Sequence, residues 1–297
     1  MDRIHAMSAF VAVADLRGFA PAARRLGLSA PAVTRLVAGL EEHLQLRLLQ
    51  RTTRSVSLTD AGARYLDRAR RILADIEEAE GEARDQRVEP SGRLVVAAST
   101  LFGRLHVAPL LSAYLSRFPR VVGELRVADA NVSLVDEGID VAVRIGHLAD
   151  STLSARKVGE TRRVVVGSPD YLRRSGAPRA PSDLAAHAII QFTGVSAAPE
   201  WRFMQQGRPL SQPLTPRFVT NSLDAAIGHA EGGGGLVSAL YYQVVERVRA
   251  GALRVVLADF EAPPVPIHVV YPTARLLSAK VRLFVDMAAT ERDLRFV

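Results

Sequence analysis

Residues 22–62 read AARRLGLSAPAVTRLVAGLEEHLQLRLLQRTTRSVSLTDAG, a pattern typical of two short helices joined by a tight turn. The helices are predicted over 22–26 and 30–44, with Gly27, Leu28 and Ser29 between them. Gly27 can adopt the positive φ that such a turn requires. Ser29 is placed to cap the second helix, and Pro31 is tolerated in its first turn because an N–H there needs no partner. The segment therefore predicts a helix-turn-helix.

The second helix has a face suited to a groove of double-stranded DNA. Its inward face is predicted to hold apolar residues: Ala32, Val33, Leu36, Val37 and Leu40. The small Ala30 lets the backbone approach the major groove, Thr34 can hydrogen-bond to a phosphate or a base, and Arg35 can bond to guanine or a phosphate. With Ala38, Thr34 and Arg35 should face outward. The predicted DNA contacts of this helix are Ser29, Ala30, Pro31, Thr34 and Arg35.

Three arginines in this segment have alternative roles. Arg35 can lie on a solvated helix face, as most surface arginines do, although the motif around it favours DNA contact. Arg24 and Arg25 are weaker candidates for DNA contact, because one of them can form a structural ion pair.

A second DNA contact is predicted in residues 48–59, which have the pattern of a β-hairpin. Its tip carries Arg51, Thr52, Thr53 and Arg54. Such a wing can contact the phosphate backbone or the adjacent minor groove, where arginine responds to the negative potential. These four residues complete the predicted DNA interface.

Residues 63–88 form one amphipathic stretch without proline. Apolar or small residues recur there with spacings of three and four, at Leu66, Ala69, Leu73, Ile76 and Ala83, and Ile72 broadens the stripe. A seam of roughly three heptads is typical of a coiled coil. Two interpretations remain: a helix that packs on its own domain, and a helix that dimerises the protein. We favour the second because the stretch joins two domains and has little core of its own.

After the short breaker 89–92, the pattern changes to alternating strands and helices. Strands are predicted at 94–98, 124–128, 140–144, 163–166, 217–220, 236–239, 253–257 and 267–271, and helices at 107–118, 132–137 and 279–290. This alternation predicts a mainly parallel sheet covered by helices. The predicted fold class is multidomain: an all-α winged helix-turn-helix and a linker helix, followed by an α/β region.

Composition limits the classes of function. The 297 residues suffice for two or three domains, and 48% hydrophobic with 23% charged residues is typical of a soluble globular protein. The formal net charge of +7 favours phosphate-rich partners. The absence of cysteine excludes disulfides and thiolate metal sites, and with the absence of a signal-peptide layout it favours the cytoplasm. No apolar run is long enough for a membrane span.

The sequence contains no pattern typical of catalysis, metal binding or cofactor binding. The glycine run 232–235 lacks the Lys-Ser/Thr of a P-loop, so we interpret it as a tight loop between a helix and a strand. The seven histidines show no metal-ligand spacing, and no G-x-S-x-G motif indicates a serine hydrolase. We therefore predict a protein that is not an enzyme and uses no metal and no cofactor.

The segment 22–62 resembles the LysR-type transcriptional regulators, and most closely their branch with an R-T-T-R wing. The resemblance continues through VDEGIDVAVRIG (135–146), SPDYL (168–172) and YPTARLLSAKVRLFVD (271–286), and so covers nearly the whole chain. It implies a dimer of dimers, hence a homotetramer, on double-stranded operator DNA. It also implies a two-lobed α/β sensor domain like periplasmic binding proteins, with a small-molecule effector between the lobes. RNA polymerase is a further candidate partner.

This chain departs from the family pattern at three positions. Ala30 stands where the family often has Gln, Leu36 where it has another polar residue, and Ala20 where it has Ser or Thr. The first two changes remove hydrogen-bonding groups from the second helix. Base recognition is therefore expected to depend more on Thr34 and Arg35, which affects the operator sequence and leaves the DNA-binding role in place.

The resemblance places the effector at three segments that follow strands. They are Ser99, Thr100, Leu101 and Phe102; Arg144, Ile145 and Gly146; and Thr220, Asn221 and Ser222. Hydroxyl groups and helix N-termini in the first and third segments suit a carboxylate or another organic anion. Leu101 and Phe102 indicate a partly apolar pocket. Ser99 and Ser222 have the alternative role of helix caps, and Arg144 that of a structural ion-pair partner.

We thus predict a DNA-binding domain over 1–62, a dimerisation helix over 63–88 and an effector-binding domain over 91–297. Its first lobe is expected over about 91–162 and 266–297, and its second over about 163–265. The predicted function is sequence-specific transcription regulation, in which the effector alters operator binding or DNA bending.

Two other classes of protein were weighed against this function. An enzyme or transport protein on the two-lobed fold lacks support, since neither a catalytic constellation nor a signal peptide is found. A non-specific architectural binder would need a more basic surface than the eight Arg against five Asp or Glu in residues 1–62.

Overall fold

The computed structural model describes residues 2–51, 56–83, 89–129, 133–134, 136–148, 153–194, 198–273, 278–290 and 294–297. The chain forms two compact units, Met1–Gly92 and Arg93–Val297. The boundary between them lies at the end of the breaker segment 89–92.

The first unit contains three short helices, a two-stranded hairpin and a long helix. In chain order they are α1 (Arg3–Leu16), α2 (Phe19–Leu26), α3 (Ala30–Leu44), β1 (Leu49–Arg51), β2 (Val56–Leu58) and α4 (Asp60–Ala83). The predicted helix-turn-helix and hairpin are confirmed, and α3 has the predicted bounds. The two strands are antiparallel, with Leu49 opposite Leu58 and Arg51 opposite Val56.

One apolar core holds the first unit together. It is built from α1, α2, α3, the hairpin and the start of α4, and its buried members include Ala6, Phe10, Val13, Ala22, Val33, Val37, Leu40, Leu48 and Leu49. Leu66 and Ala69 of α4 belong to the same core. Ile72, by contrast, is 43% exposed. Leu66, Ala69 and Leu73 of the amphipathic seam therefore pack on their own unit, whereas Ile72 is exposed on the outer side of the helix.

The second unit is built on two sheets, each of which defines a lobe. The first lobe contains β3 (Gly92–Ala98), β4 (Val121–Val127), β5 (Val141–Ile145), β6 (Leu153–Thr161), β14 (Val265–Pro272) and β15 (Leu294–Phe296), in the order β15-β6-β14-β5-β3-β4. Its helices are α5 (Thr100–Phe102), a π-helical turn (Gly103–Val107), α6 (Ala108–Arg117) and α10 (Ala279–Thr290). β3 is a continuous apolar run because both of its faces are buried: Leu94 and Val96 join one core cluster, and Val95 joins another.

The second lobe contains β7 (Arg163–Gly167), β8 (Ile189–Phe192), β11 (Pro216–Thr220), β12 (Leu236–Leu240) and β13 (Arg254–Val256), in the order β11-β8-β12-β7-β13. A separate antiparallel hairpin consists of β9 (Glu200–Gln205) and β10 (Arg208–Pro213). The helices are α7 (Pro169–Ser175), α8 (Leu223–Glu231) and α9 (Tyr241–Arg249), with 3-10 turns at Pro181–Ala186 and Ala258–Phe260. The glycine run 232–235 connects α8 to β12, as predicted.

Two details of the α/β prediction are wrong. Both sheets are mixed rather than mainly parallel: β3 and β5 are parallel, whereas β14 is antiparallel to β5 and β6. The chain leaves the first lobe after β6 and re-enters it as β14, so the returning strand runs in the opposite direction. The helix predicted over 132–137 is also not found, since Leu134 and residues 136–138 form turns. Val132 and Val135 lie outside the described residues.

Candidate functional site

The turn between α2 and α3 has the predicted geometry. Gly27 ends α2 in the left-handed region at φ 66°, and the N–H of Leu28 donates to the carbonyl of Ala23 at 3.0 Å. Ser29 caps α3, because its Oγ accepts from the N–H of Ala32 at 3.3 Å. Pro31 occupies the first turn. The start of α3 therefore lies at the surface with its backbone fixed.

The outer face of α3 carries Arg35, whose guanidinium is available to bind a ligand. Arg35 is exposed and has no ion pair or hydrogen bond among the residues that the structure describes. Thr34 is half-buried, and its hydroxyl donates to the carbonyl of Ala30 at 2.9 Å. The lone pairs of the Thr34 hydroxyl are still able to accept. Ser29, Pro31 and Ala38 are exposed, so the side of α3 predicted to meet DNA is open.

The two arginines of α2 separate into different roles. Arg25 lies 3.5 Å from a carboxylate oxygen of Asp15, and Arg70 of α4 pairs with the other oxygen of the same carboxylate. This cluster joins α1, α2 and α4, so Arg25 has the structural role that was left open. Arg24 is exposed and, among the described residues, makes no such pair.

The hairpin is fixed to the helices by contacts that the sequence analysis missed. A carboxylate oxygen of Glu41 accepts from the N–H groups of Leu48 and Leu49, at 2.8 and 3.0 Å. The hydroxyl of Thr59 donates to the carbonyl of Arg47 at 2.7 Å and accepts from the N–H of Gly62 at 2.9 Å. The signal was present in the quoted string, where Thr59 precedes α4 by one residue, as an N-cap does.

The hairpin tip is described only in part. Arg51 is the last residue of β1 and lies opposite Val56, so the chain reverses between them. Thr52, Thr53 and Arg54 lie outside the described residues.

The first predicted effector segment lies at the carboxyl end of β3. The N–H of Thr100 donates to a carboxylate oxygen of Asp129 at 2.9 Å, so the protein's own anion occupies this helix start. Leu101 and Phe102 are only 6% and 1% exposed and pack in the core of the first lobe. Their expected contribution to an apolar pocket wall is therefore not found. The Phe102 ring instead meets Tyr242 of the second lobe edge-on, with ring centroids 5.1 Å apart.

The other two predicted segments lie close to this edge. β5 runs parallel to β3 with Val143 beside Ala98, which brings Arg144 and Ile145 to the same sheet edge as Ser99. Gly146 follows with φ 135°, and its N–H donates to the carbonyl of Pro266 at 2.9 Å.

The third segment lies on the opposing lobe. Ser222 caps α8, since its Oγ accepts from the N–H of Ala225 at 3.3 Å, and the Thr220 hydroxyl accepts from the N–H of Ser222 at 3.0 Å. The adjacent Asn221 is exposed. Arg104 and Asp224 approach to 3.9 Å across the lobes. The structure thus brings the first and third segments to facing sides of the boundary between the lobes.

The two chain crossings between the lobes are clasped together. The Arg162 guanidinium, after β6, donates to both carboxylate oxygens of Glu261 at 2.7 and 2.9 Å. Glu261 precedes the return strand β14. The guanidinium also stacks on Tyr241, 4.2 Å from the ring centroid. The hinge between the lobes is therefore held by a charge-assisted bidentate pair.

Two kinds of feature are absent from the described part of the chain. It contains no group of three or more His, Cys, Asp or Glu side chains arranged to hold a metal ion. Among its helices, none has both the length and the apolar composition needed to cross a bilayer.

Two family models match the chain. The bacterial regulatory helix-turn-helix family lysR matches residues 4–63, and the LysR substrate binding domain matches residues 87–293. An HTH-type transcriptional repressor of Pseudomonas aeruginosa is 35% identical over 295 residues, covering 96% of this chain and 91% of the relative. The regulator CrgA of Neisseria meningitidis is 32% identical over 287 residues, covering 96% and 95%.

Solved structures agree with these matches along the whole chain. The structure of CrgA, a LysR-type transcriptional regulator, has a TM-score of 0.63 at 31% identity, covering 97% of this chain and 98% of that one. The full-length Vibrio cholerae virulence activator AphB has a TM-score of 0.62 at 26% identity, covering 97% and 98%. The helix-turn-helix, the hairpin and the two-lobed α/β unit therefore have their counterparts in known regulators. The chain belongs to the LysR family of transcription regulators, with a DNA-binding helix-turn-helix domain and an effector-binding domain, and is not an enzyme.

Proposed function

We propose that this regulator recognises a specific operator with α3 and the wing, and that an effector between the two lobes alters operator binding or DNA bending. The proposed DNA contacts are Ser29, Ala30, Pro31, Thr34, Arg35, Arg51, Thr52, Thr53 and Arg54. The proposed domains are residues 1–62 for DNA, 63–88 for dimerisation and 91–297 for the effector. The cell compartment proposed is the cytoplasm, where the operator DNA is found.

The DNA-binding part of the proposal rests on the exposure of Arg35 and on the absence of an ion-pair partner for it among the described residues. Its guanidinium is exposed on α3 without a partner among the described residues, while Arg25 and Arg70 are held by Asp15. A planar guanidinium that is free of internal partners can bond bidentately to guanine or to a phosphate. The small Ala30 and the open start of α3 support entry of this helix into the major groove.

The proposed assembly is a dimer of dimers, joined in part by α4. Ile72 is exposed and the half-buried Ile76 follows one turn later, which leaves apolar surface on the outer face of this helix. A second copy of α4 would cover that surface. Two DNA-binding domains in one dimer would then meet half-sites separated by whole helical turns, about 34 Å each. RNA polymerase is proposed as a further partner of the DNA-bound assembly.

The proposed effector response uses the boundary between the lobes. The proposed participants are Ser99 and Thr100 together with residues 144–146 and 220–222; the pairing of β3 with β5 and the 3.9 Å approach of Arg104 to Asp224 support this choice. An effector that binds the closed arrangement more tightly than the open one shifts the population toward closure. Coupling to DNA then requires that the two arrangements favour different spacings of the paired DNA-binding domains.

Competition binding tests the proposal directly. The full-length protein should prefer DNA from upstream of its own gene over random DNA of equal length by a factor of about 10³ or more. Equal affinity for both would contradict sequence-specific regulation.

Replacement of Arg35 tests the recognition helix. Arg35→Ala should weaken operator binding by about 1–3 kcal/mol and relax the preference at one base position. Arg249→Ala removes the same charge from α9 in the second unit and is the matched control, with little expected effect. Fluorescence anisotropy on operator and random duplexes gives both quantities. An equal loss on the two duplexes would reassign Arg35 to backbone positioning.

A further inference from the structure

A cavity of about 360 Å³ lies in the second lobe beside the third effector segment, since its wall includes Leu223, which directly follows Ser222. Its wall includes Arg163, Gln191, Trp201, Ser238, Leu240 and Gln243. Small-molecule sites commonly measure about 300–1,000 Å³. The cavity is therefore large enough for a compact ligand.

The strand register places polar groups on the floor of this cavity. Arg163 opens β7 opposite Leu240, and Val165 lies opposite Ser238. Side chains two residues apart share a face of a sheet, as do directly opposed residues. Arg163 and Ser238 thus project from the same face, toward the β9–β10 hairpin that carries Trp201.

Arg163 brings a positive charge that the protein does not neutralise. Its guanidinium has no carboxylate partner among the described residues, and the nearby Glu261 is taken by Arg162 at 2.7 and 2.9 Å. Glu200 also lines the cavity, but its carboxylate accepts from the Ser211 hydroxyl at 2.6 Å and lies 3.5 Å from Arg202. Because Arg202 neutralises the charge of Glu200, the positive charge of Arg163 has no opposite charge left to neutralise it.

Much of the remaining wall is apolar. Trp201 and Phe192 supply aromatic rings, and Leu223, Ala239 and Leu240 supply aliphatic surface. Both polar atoms of the Gln243 side chain are already hydrogen-bonded within the protein. Its Oε1 accepts from the N–H of Leu240 at 2.7 Å, and its Nε2 donates to the Tyr242 hydroxyl at 3.0 Å. The Ser238 hydroxyl has no hydrogen-bond partner in the described part of the chain. The site therefore offers the Arg163 guanidinium and the Ser238 hydroxyl beside apolar surface, with Gln191 and the Arg202–Glu200 pair also in its wall.

We propose that this cavity binds a small organic acid, with its carboxylate on the Arg163 guanidinium and its apolar body between Trp201 and Phe192. A carboxylate matches the planar fork of arginine and accepts two parallel hydrogen bonds from it. The Ser238 hydroxyl supplies a third donor. The inference rests on the proposed effector function and specifies the chemical class of the effector and the residue that recognises it.

Calorimetric titration of the full-length protein tests this assignment. The probes are benzoate, phenylacetate and hexanoate, each compared with its neutral amide. At least one acid should bind, and at least about tenfold more tightly than its amide. Arg163→Met should remove that difference, and Arg163→Lys, which keeps the charge without the fork, should give an intermediate affinity. Ser238→Ala, which removes the third donor, should weaken binding of the acid more than binding of its amide.

Arg217→Met is the matched control, because Arg217 is an exposed arginine of the same lobe outside the cavity and should retain the acid preference. The inference is overturned if none of the acids binds more tightly than its amide, or if Arg163→Met retains the preference. The operator-competition assay on the same preparations tests operator recognition independently of acid binding in the cavity. Operator preference without acid binding would reject the cavity as the effector site and leave the DNA-binding role intact.

Discussion

Two glycines of the DNA-binding unit are required for different physical reasons. A Cβ on Gly62 would lie 2.0 Å from the carbonyl oxygen of Leu48, a distance that forces the backbone apart. Gly27 has open space around it, but its φ of +66° is in the left-handed region, which side chains with a Cβ disfavour. Gly62 thus allows α4 to approach the hairpin closely, and Gly27 allows the turn before the recognition helix.

Alanine replacements should separate these two effects. Gly62→Ala is expected to lower the free energy of unfolding of the first unit by more than about 2 kcal/mol. Gly27→Ala should cost only about 1–2 kcal/mol, the usual price of the left-handed conformation. Urea unfolding followed by circular dichroism measures both.

The single tryptophan, Trp201, lies in the second unit and supplies an internal control for these variants. Its fluorescence transition should stay at the wild-type urea concentration in both. A Gly62→Ala protein that is as stable as Gly27→Ala would contradict the close-approach explanation.

At the scale of elements, Glu41 of the recognition helix fixes the start of the hairpin, in addition to the Thr59 bonds and the buried Leu48 and Leu49. Glu41 binds two consecutive N–H groups at the start of β1, so the wing moves with α3 as one body. Glu41→Ala should weaken binding to operator and random DNA alike, by about 1–2 kcal/mol, because the wing loses its fixed geometry. Glu42→Ala removes the same charge from an exposed neighbour and should leave the affinity unchanged or slightly raised.

Anisotropy titrations on the two duplexes measure this effect. A loss confined to the operator would instead show that Glu41 acts on base recognition.

Predictability from sequence differed among elements for physical reasons. The bounds of α3 and α10 were predicted correctly, because caps and apolar spacing are encoded within each segment. The segment 132–137 has similar helical spacing, yet the described part of it forms turns. Leu134 is 2% exposed there and packs with Ile139 under the first sheet. The N–H of Glu137 donates to the carbonyl of Ser133 at 3.1 Å, so the described part forms a turn with a helix-type hydrogen bond.

For the whole molecule, the ion pair between Arg162 and Glu261 joins the two places where the chain crosses between the lobes. Both side chains are largely shielded, with 26% and 14% exposed. Glu261→Gln keeps the shape but removes the charge, and should lower the free energy of unfolding of the second unit by about 1–3 kcal/mol. Urea unfolding followed by Trp201 fluorescence measures the stability of this unit.

Glu246→Gln is the control: it alters the exposed pair with Arg249 and should change the free energy of unfolding by less than about 1 kcal/mol. Equal losses of stability in the two variants would contradict a special role for the Arg162–Glu261 pair.

The proposed assembly places the exposed Ile72 of α4 at the contact between subunits. The double variant Ile72→Asp, Ile76→Asp should dissociate the proposed dimer, because two buried aspartates on each helix would lose their hydration without a counter-charge. Sedimentation velocity measures the mass of the particle. Val297→Asp, at an exposed terminal position, is the control and should retain the wild-type mass. A double variant that keeps the wild-type mass would show that another surface joins the subunits.

The sequence alone determined the features that are encoded within short segments: the Gly27 turn, the Ser29 cap, the hairpin and the alternation of strands and helices. It did not determine the mixed direction of the sheets, the pairing of Arg25 with Asp15, the capture of the Thr100 N–H by Asp129, or the meeting of Arg163 with Trp201. Each of these joins residues that are far apart in the chain or depends on the order in which strands associate. Apolar periodicity specifies which face of an element is buried, but it does not specify which other element covers that face. Only the folded chain makes that choice, and the polar residues that it brings together form the candidate sites.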